Sequence, residues 1–208
     1  MQMTLSAVIV NQKDRAQELF LLADRQAGYF TAGQARNLGY SGRLQHYHRH
    51  RGNWLEIDRG VFRLRDYPTT PDEELVKLSL WSRDLEGEPQ AVISHETALR
   101  LYDLSDLMPS SVHLSVPKGF RKIPPNGVVL HKARLDPVDV EARAGYRVTA
   151  PLRTLLDLAN SPLSPEHLET ATCEALERGL VRRRSLERAI AALAPTARDR
   201  LEQALGAG

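Results

Sequence analysis

The fold is decided by residues 30–65, FTAGQARNLGYSGRLQHYHRHRGNWLEIDRGVFRLR. Thr31 is a good N-cap for a short helix, AGQARNL, which Gly39 closes. Ala32, Ala35 and Leu38 would face inward, and their small size lets this helix pack close to a neighbour. Ser41 can cap a second helix, GRLQHYHRHR, which Gly52 ends. Leu44, Tyr47 and His48 form one face of that helix, while Arg43, Gln45, His46, Arg49 and His50 fall mostly on others. Beyond it come WLEID and VFRLR around Arg59-Gly60. Leu55, Ile57, Phe62 and Leu64 alternate there with Trp54, Glu56, Asp58, Arg63 and Arg65, which is the period-two signature of a hairpin. The alternation predicts the first set inward. Tyr29 and Phe30 can add a short third strand.

Helix, turn, basic helix and hairpin in that order are the plan of a winged helix-turn-helix, whose second helix enters a DNA major groove. The residues predicted to meet DNA are Ser41, Arg43, Gln45, His46 and Arg49 on the helix, with Arg59 at the hairpin tip and Arg63 on its outer side. Arginine pairs bidentately with guanine and glutamine with adenine, while serine and further arginines reach phosphates. Charge follows the same division. Through Tyr67 there are ten Lys/Arg against six Asp/Glu, a net +4, which leaves −2 for the other 141 residues of a chain whose total is +2. A basic stripe on a near-neutral chain is the electrostatic footprint of nucleic-acid binding, although an arginine-rich solvated face has the same composition. His46 and His50 lie one turn apart, but no nearby carboxylate or cysteine completes a metal set, so no metal is expected.

Working outward, residues 12–27 carry Ala16, Leu19, Phe20, Ala23 and Ala27 at helical spacing, and Gly28 ends that pattern. The start, MQMTLSAVIVN, reads as a loose extension and not as a signal peptide. DYPTTP, 66–71, is a linker by composition and predicts two domains, 12–67 and 70–205. The second begins with an amphipathic helix, DEELVKLSLWSRDLEG, with Leu75, Leu78 and Trp81 inward. AVI, VHLSVP, GVVLHK and GYRVT are strand candidates; SHETALRLYDL is a helix that Ser94 would cap, and PLRTLLDLAN a helix with Pro151 in its first turn. Ser164-Pro165 opens a helical C-terminus. The expected fold class is therefore α+β: a winged helix-turn-helix with a hairpin wing, then a mixed domain with a small sheet and helical C-terminus. Arg182, Arg183 and Arg184 form a separate basic cluster, either a second DNA contact, a site for an acidic partner surface, or solvated charge. The loop KGFRK, 118–122, has the same status.

Hydrophobic content of 42% and charged content of 26% are ordinary for a globular protein. The lone cysteine, Cys173, excludes an intrachain disulfide, reads as a small buried core residue and suits a reducing cytoplasm. No apolar run approaches the roughly 18–20 residues that span a membrane. The one catalytic-looking pair is His95-Glu96, but adjacent helical residues point about 100° apart and do not readily share a site. An enzyme and cofactor are accordingly not expected, and the alternative to DNA reading is a protein-interaction module built on the same winged helix.

Phe30 through Phe62, with Gly39, Leu44, Gly52 and the Arg59-Gly60-Val61-Phe62 tetrad, resembles the N-terminal domain of AbiEi antitoxins of type IV toxin–antitoxin pairs. SHETAL at 94–99, VHLSVP at 112–117 and VTAPLRTLLDLA at 148–159 are similar to that family's later blocks, so the likeness spans about Leu19 to Leu186. The resemblance implies a winged helix-turn-helix joined to an α/β antitoxin domain. It also implies binding to inverted repeats in the protein's own promoter, as a monomer or homodimer, and action against a nucleotidyltransferase-like toxin. Ser41, Arg43, Gln45, His46 and Arg49 match the recognition-helix positions, and Arg59 matches the wing tip. Some longer relatives carry a nuclease-like C-terminal region. After Leu156 this chain has no spaced Asp…Glu-x-Lys arrangement that could hold a catalytic magnesium ion.

Overall fold

The computed structural model describes residues 3–106 and 109–206. They form two compact units: the first runs to Gln90 and takes in Ala144–Tyr146, and the second holds Ala91–Arg143 and resumes at Arg147.

The first unit contains α1 (Met3–Asp24), β1 (Tyr29–Thr31), α2 (Ala32–Asn37), α3 (Gly42–His50), β2 (Trp54–Asp58), β3 (Val61–Leu64) and α4 (Glu73–Trp81). α1 is helical from Met3, well before the predicted start at 12. No glycine or proline interrupts the chain before Gly28, so nothing local stops the helix earlier. It stops because Ala27 and Gly28 turn to φ of 52° and 84°, and the Gly28 N–H reaches the Ala23 carbonyl at 2.8 Å. Glycine is required there, since an added Cβ would lie 2.4 Å from the Tyr67 ring.

The strands pair in the order β1-β3-β2, with Phe30 opposite Phe62 and Trp54 opposite Leu64. Arg59-Gly60 makes the hairpin turn, with Gly60 at φ 69°, and the register slips between Glu56 and Asp58. One face of the sheet therefore carries Phe30, Trp54, Phe62 and Leu64. It packs on the helices through Leu19, Ala23, Ala35 and Tyr40, with Leu22, Ala32, Leu38 and Leu44 around them. This corrects the predicted facing of β2. Trp54 is buried and Ile57 is 40% exposed, because the bulge at Ile57 lifts it out of the alternation.

The opposite face carries Tyr29, Leu55 and Arg63, which are cross-strand neighbours. α4 covers it: Glu73 lies 3.8 Å from Arg63 Nε, and Lys77 sits 5.7 Å over the Tyr29 ring. Both faces of the small sheet are thus covered around β1 and β3, while the outer half of β2 is exposed. The stretch 66–71 is a connection inside the first unit, and the division falls at Gln90/Ala91.

The second unit contains β4 (Val92–Ile93), α5 (His95–Leu101), β5 (Val112–Val116), β6 (Val128–Lys132), a 3-10 turn (Pro137–Asp139), β7 (Val140–Ala142), β8 (Arg147–Thr149) and the helices α6 (Pro151–Ala159), α7 (Pro165–Glu177), α8 (Arg183–Ile190) and α9 (Pro195–Gly206). Its sheet has the order β6-β5-β4-β8-β7. β5 runs parallel to β6 and β4 to β8, while β4/β5 and β7/β8 are antiparallel. The expected strands are all present; β7 was too short to show a period. Ile93, Leu99, Leu114, Val148, Leu155, Leu158, Leu168, Leu186 and Leu201 are buried. Cys173 is only partly buried on α7, short of the predicted core position. Among the described residues no helix is long and apolar enough to cross a membrane.

Candidate nucleic-acid interface

α2 and α3 are held by short-range chemistry. The Thr31 hydroxyl accepts from the Gln34 N–H at 3.1 Å, and the Gln34 side chain accepts from the Thr31 N–H at 2.8 Å. This is a reciprocal capping box, whose T-x-x-Q spacing is already visible in the sequence. Ser41 caps α3 through the Leu44 N–H at 3.4 Å.

The inward stripe of α3 is Leu44, Gln45 and His48. Gln45 is 7% exposed, and its amide donates to the carbonyls of Ala32 at 3.1 Å and Tyr40 at 2.8 Å. The predicted base reader is therefore the lock between the two helices. Its polarity hid it from an apolar template, yet burial is tolerated because both N–H groups find acceptors. The His48 ring stacks on Trp54 at 4.7 Å. Burial first, and then the Arg15 charge, lower its pKa, so it packs as a neutral ring.

Tyr47 takes the place predicted for an outward residue and is 50% exposed. It stands on a face with Arg43, His46, Arg49 and His50, all exposed, and Ser41 is exposed at the helix start. Arg51 lies 5.6 Å over the Tyr47 ring, and the His46 and His50 rings meet edge-on at 4.1 Å. Arg49 pairs with Glu56 and lies 5.7 Å over Phe62, so its charge is partly compensated. Arg43 has no ion-pair partner among the described residues. At the wing tip Arg59 is exposed; its N–H donates to Asp58 at 2.6 Å, and its carbonyl accepts from Arg83 at 3.0 Å.

Arg63 is not part of this surface. Its side chain is 11% exposed, donates to the Tyr67 carbonyl at 2.7 Å and lies 5.8 Å over the Tyr29 ring. The period-two pattern put it on the outer side of the hairpin, but that side is covered by α4. Arg182, Arg183 and Arg184 are exposed. They open α8, with Arg182 at the N-cap.

The second unit holds a group of polar residues that the sequence reading only half identified. His95 and Glu96 do share a site, contrary to expectation, because His95 sits at φ 51° and so does not follow the helical progression of α5. A non-glycine residue in that region costs roughly 1–2 kcal/mol. The His95 ring stacks on His131 of β6 at 3.5 Å. His131 Nε2 is 3.0 Å from His113 Nδ1, and His113 Nε2 is 2.9 Å from Glu96. Ser94 occupies the N-cap position but makes no cap bond. Its hydroxyl accepts from Ser115 at 2.9 Å and lies 2.9 Å from His95 Nδ1. Burial, then the neighbouring His131 and His113, push the His95 pKa down to about 3. Burial also lowers that of His131, while His113 beside Glu96 lowers that of the carboxyl. The clue in the sequence was one histidine in each of VHLSVP and GVVLHK, which the pairing of β5 with β6 brings together.

A capped short helix, a basic helix packed across it and a hairpin wing with an arginine at its tip define a winged helix-turn-helix protein, a class that binds duplex DNA. Family models agree and go further. Residues 17–65 match a transcriptional regulator, AbiEi antitoxin, and residues 90–207 match the AbiEi antitoxin C-terminal domain. The chain belongs to the AbiEi antitoxin family, and its two domains are regulatory modules with an antitoxin and DNA-binding role, not an enzyme. No curated protein is similar enough to the chain to count as a match.

Proposed function

We propose that this antitoxin represses its own operon by laying α3 in the major groove of an operator, with Arg59 of the wing on the flanking backbone or minor groove. It acts in the cytoplasm, and two copies, as a dimer or as cooperating monomers, fill the inverted repeat. The second unit counteracts a nucleotidyltransferase-like toxin from the same operon. The observation that carries the DNA reading is the outward face of α3, where Arg43, His46, Tyr47 and Arg49 stand exposed together. Ser41 and Arg49 suit phosphates, since Arg49 already shares its charge with Glu56. Arg43 is the base-reading arginine, and Tyr47 supplies an apolar edge of the kind that meets a thymine methyl.

Gel shifts on duplex DNA from upstream of the gene test this directly. Arg43→Ala should lose roughly 1–3 kcal/mol of operator binding, with specificity relaxed at one position. Tyr47→Ala should relax specificity at a different position and leave the salt slope unchanged. Arg49→Ala should weaken binding on all sequences and flatten the salt slope by about one. Unchanged binding when Arg43 and Arg49 are both replaced would sink the assignment of α3. Co-expression with the toxin tests the second half: rescue of growth by a chain carrying Arg43→Ala would assign antitoxin action to a surface other than α3.

A further inference from the structure

Three imidazoles and a carboxylate meet where α5 lies against β5 and β6. Neither the winged helix nor DNA reading uses them. His95 is 8% exposed, and the His113 and Glu96 side chains are 18% and 13% exposed. Their nitrogens do not converge on one point: His113 directs Nδ1 at His131 and Nε2 at Glu96, and the His95 and His131 rings lie face to face, 16° from parallel. No group of His, Cys, Asp or Glu among the described residues is placed to hold a metal ion. The arrangement is instead a row of sites that compete for protons.

Each contact limits how many protons the row accepts. The 3.0 Å between His113 Nδ1 and His131 Nε2 leaves room for one hydrogen, not two. The 3.5 Å stack sets His95 and His131 against each other if both are charged. Ser94 accepts from Ser115 and lies 2.9 Å from His95 Nδ1, so its hydroxyl can donate to that nitrogen only while the nitrogen carries no proton. The charged groups acting on His95 are the two other histidines, Glu96 on α5 and Arg153 on α6. Only Glu96 favours a proton. The start of α5 bears the cost of this arrangement, with a left-handed His95 and a cap serine diverted from capping.

We propose that the cluster is a proton-operated latch, which keeps α5 on the sheet while His95 and His131 are neutral and releases the helix when acid charges them. Burial opposes protonation of His95 and His131 in the folded state. Their folded pKa values lie below the unfolded one, so the folded unit binds fewer protons than the unfolded chain. Stability is lost as pH falls below about 6.5.

Hydrogen exchange of the full chain at pH 7.5, 6.5 and 5.5, corrected for intrinsic rates, tests the latch. A peptide spanning 91–104 should lose about tenfold in protection between pH 7.5 and 5.5, the equivalent of one unit of pKa. His131→Gln, neutral at every pH, should flatten that dependence. His95→Asn, which tolerates the left-handed backbone, should do the same if the first variant folds poorly. Unchanged protection of 91–104 between pH 7.5 and 5.5 would overturn the latch, as would a pH dependence that survives in both variants. Raised protection of 91–104 by micromolar zinc at pH 7.5 would overturn it too, making the cluster a metal site.

Discussion

α3 and α5, one in each unit, both begin at a serine and are both rich in polar side chains, yet they are built in opposite ways. Ser41 caps α3 from its own side chain, and the helix turns most of its charged and aromatic residues to solvent. Ser94 stands at the same position before α5 but serves His95 and Ser115 instead of the helix. α5 then buries its first histidine, threonine and two apolar residues. A helix whose start is encoded locally can leave its polar face free for a ligand. A helix whose start depends on partners from other strands has its polar face already occupied.

The largest effect that would sharpen this contrast is Trp54→Ala. Trp54 is the floor on which His48 of α3 stacks, and it contacts Phe30 edge-on at 4.8 Å. Its loss should destabilise the first unit by about 3–5 kcal/mol and abolish DNA binding, as a urea titration and a gel shift would show. Acid should come next, and it should strike α5. With His95 held near 3 in the folded unit against about 6.5 unfolded, lowering the pH to 5 should remove roughly 2 kcal/mol of stability. Chemical denaturation at pH 7.5 and 5 would measure it; equal stability at the two values would break the contrast. Ser94→Ala should follow, because it strands His95 Nδ1 and the Ser115 hydroxyl in the interior, at about 1–3 kcal/mol. It should change the pH dependence as well. Ser41→Ala should be the smallest, about 1 kcal/mol from a lost cap, with no change in pH dependence. If the two serine variants behaved alike in both stability and pH profile, the difference between the helices would be false.

Much of the winged helix was legible. Thr31, Ser41, Gly39 and the Arg59-Gly60 turn act within a few residues of themselves, so their chemistry is written in adjacent positions. Phe62 and Leu64 also fell on the expected face. Gln45 was misplaced because a buried amide looks polar in any hydrophobic pattern. Its burial depends on the carbonyls of Ala32 and Tyr40, and no spacing reveals those. Tyr47 was misplaced for the complementary reason, an aromatic ring left exposed at half its surface. Trp54 and Arg63 show the limits of alternation: period two separates two faces but gives neither the register, which sets Trp54 opposite Leu64, nor whether the face bearing Arg63 is covered. Here α4 covers the second face too.

The sequence by itself determined where α2, α3 and the hairpin begin, which segment is basic and which family the chain resembles, because caps, turns and charge are properties of neighbouring residues. Only the tertiary structure decided which polar side chains are inside. Gln45 and His95 are buried, and Arg63, His113 and His131 half-buried, by partners on other elements, 36 positions apart in the case of His95 and His131, and burial of a polar group is permitted only where such partners meet it.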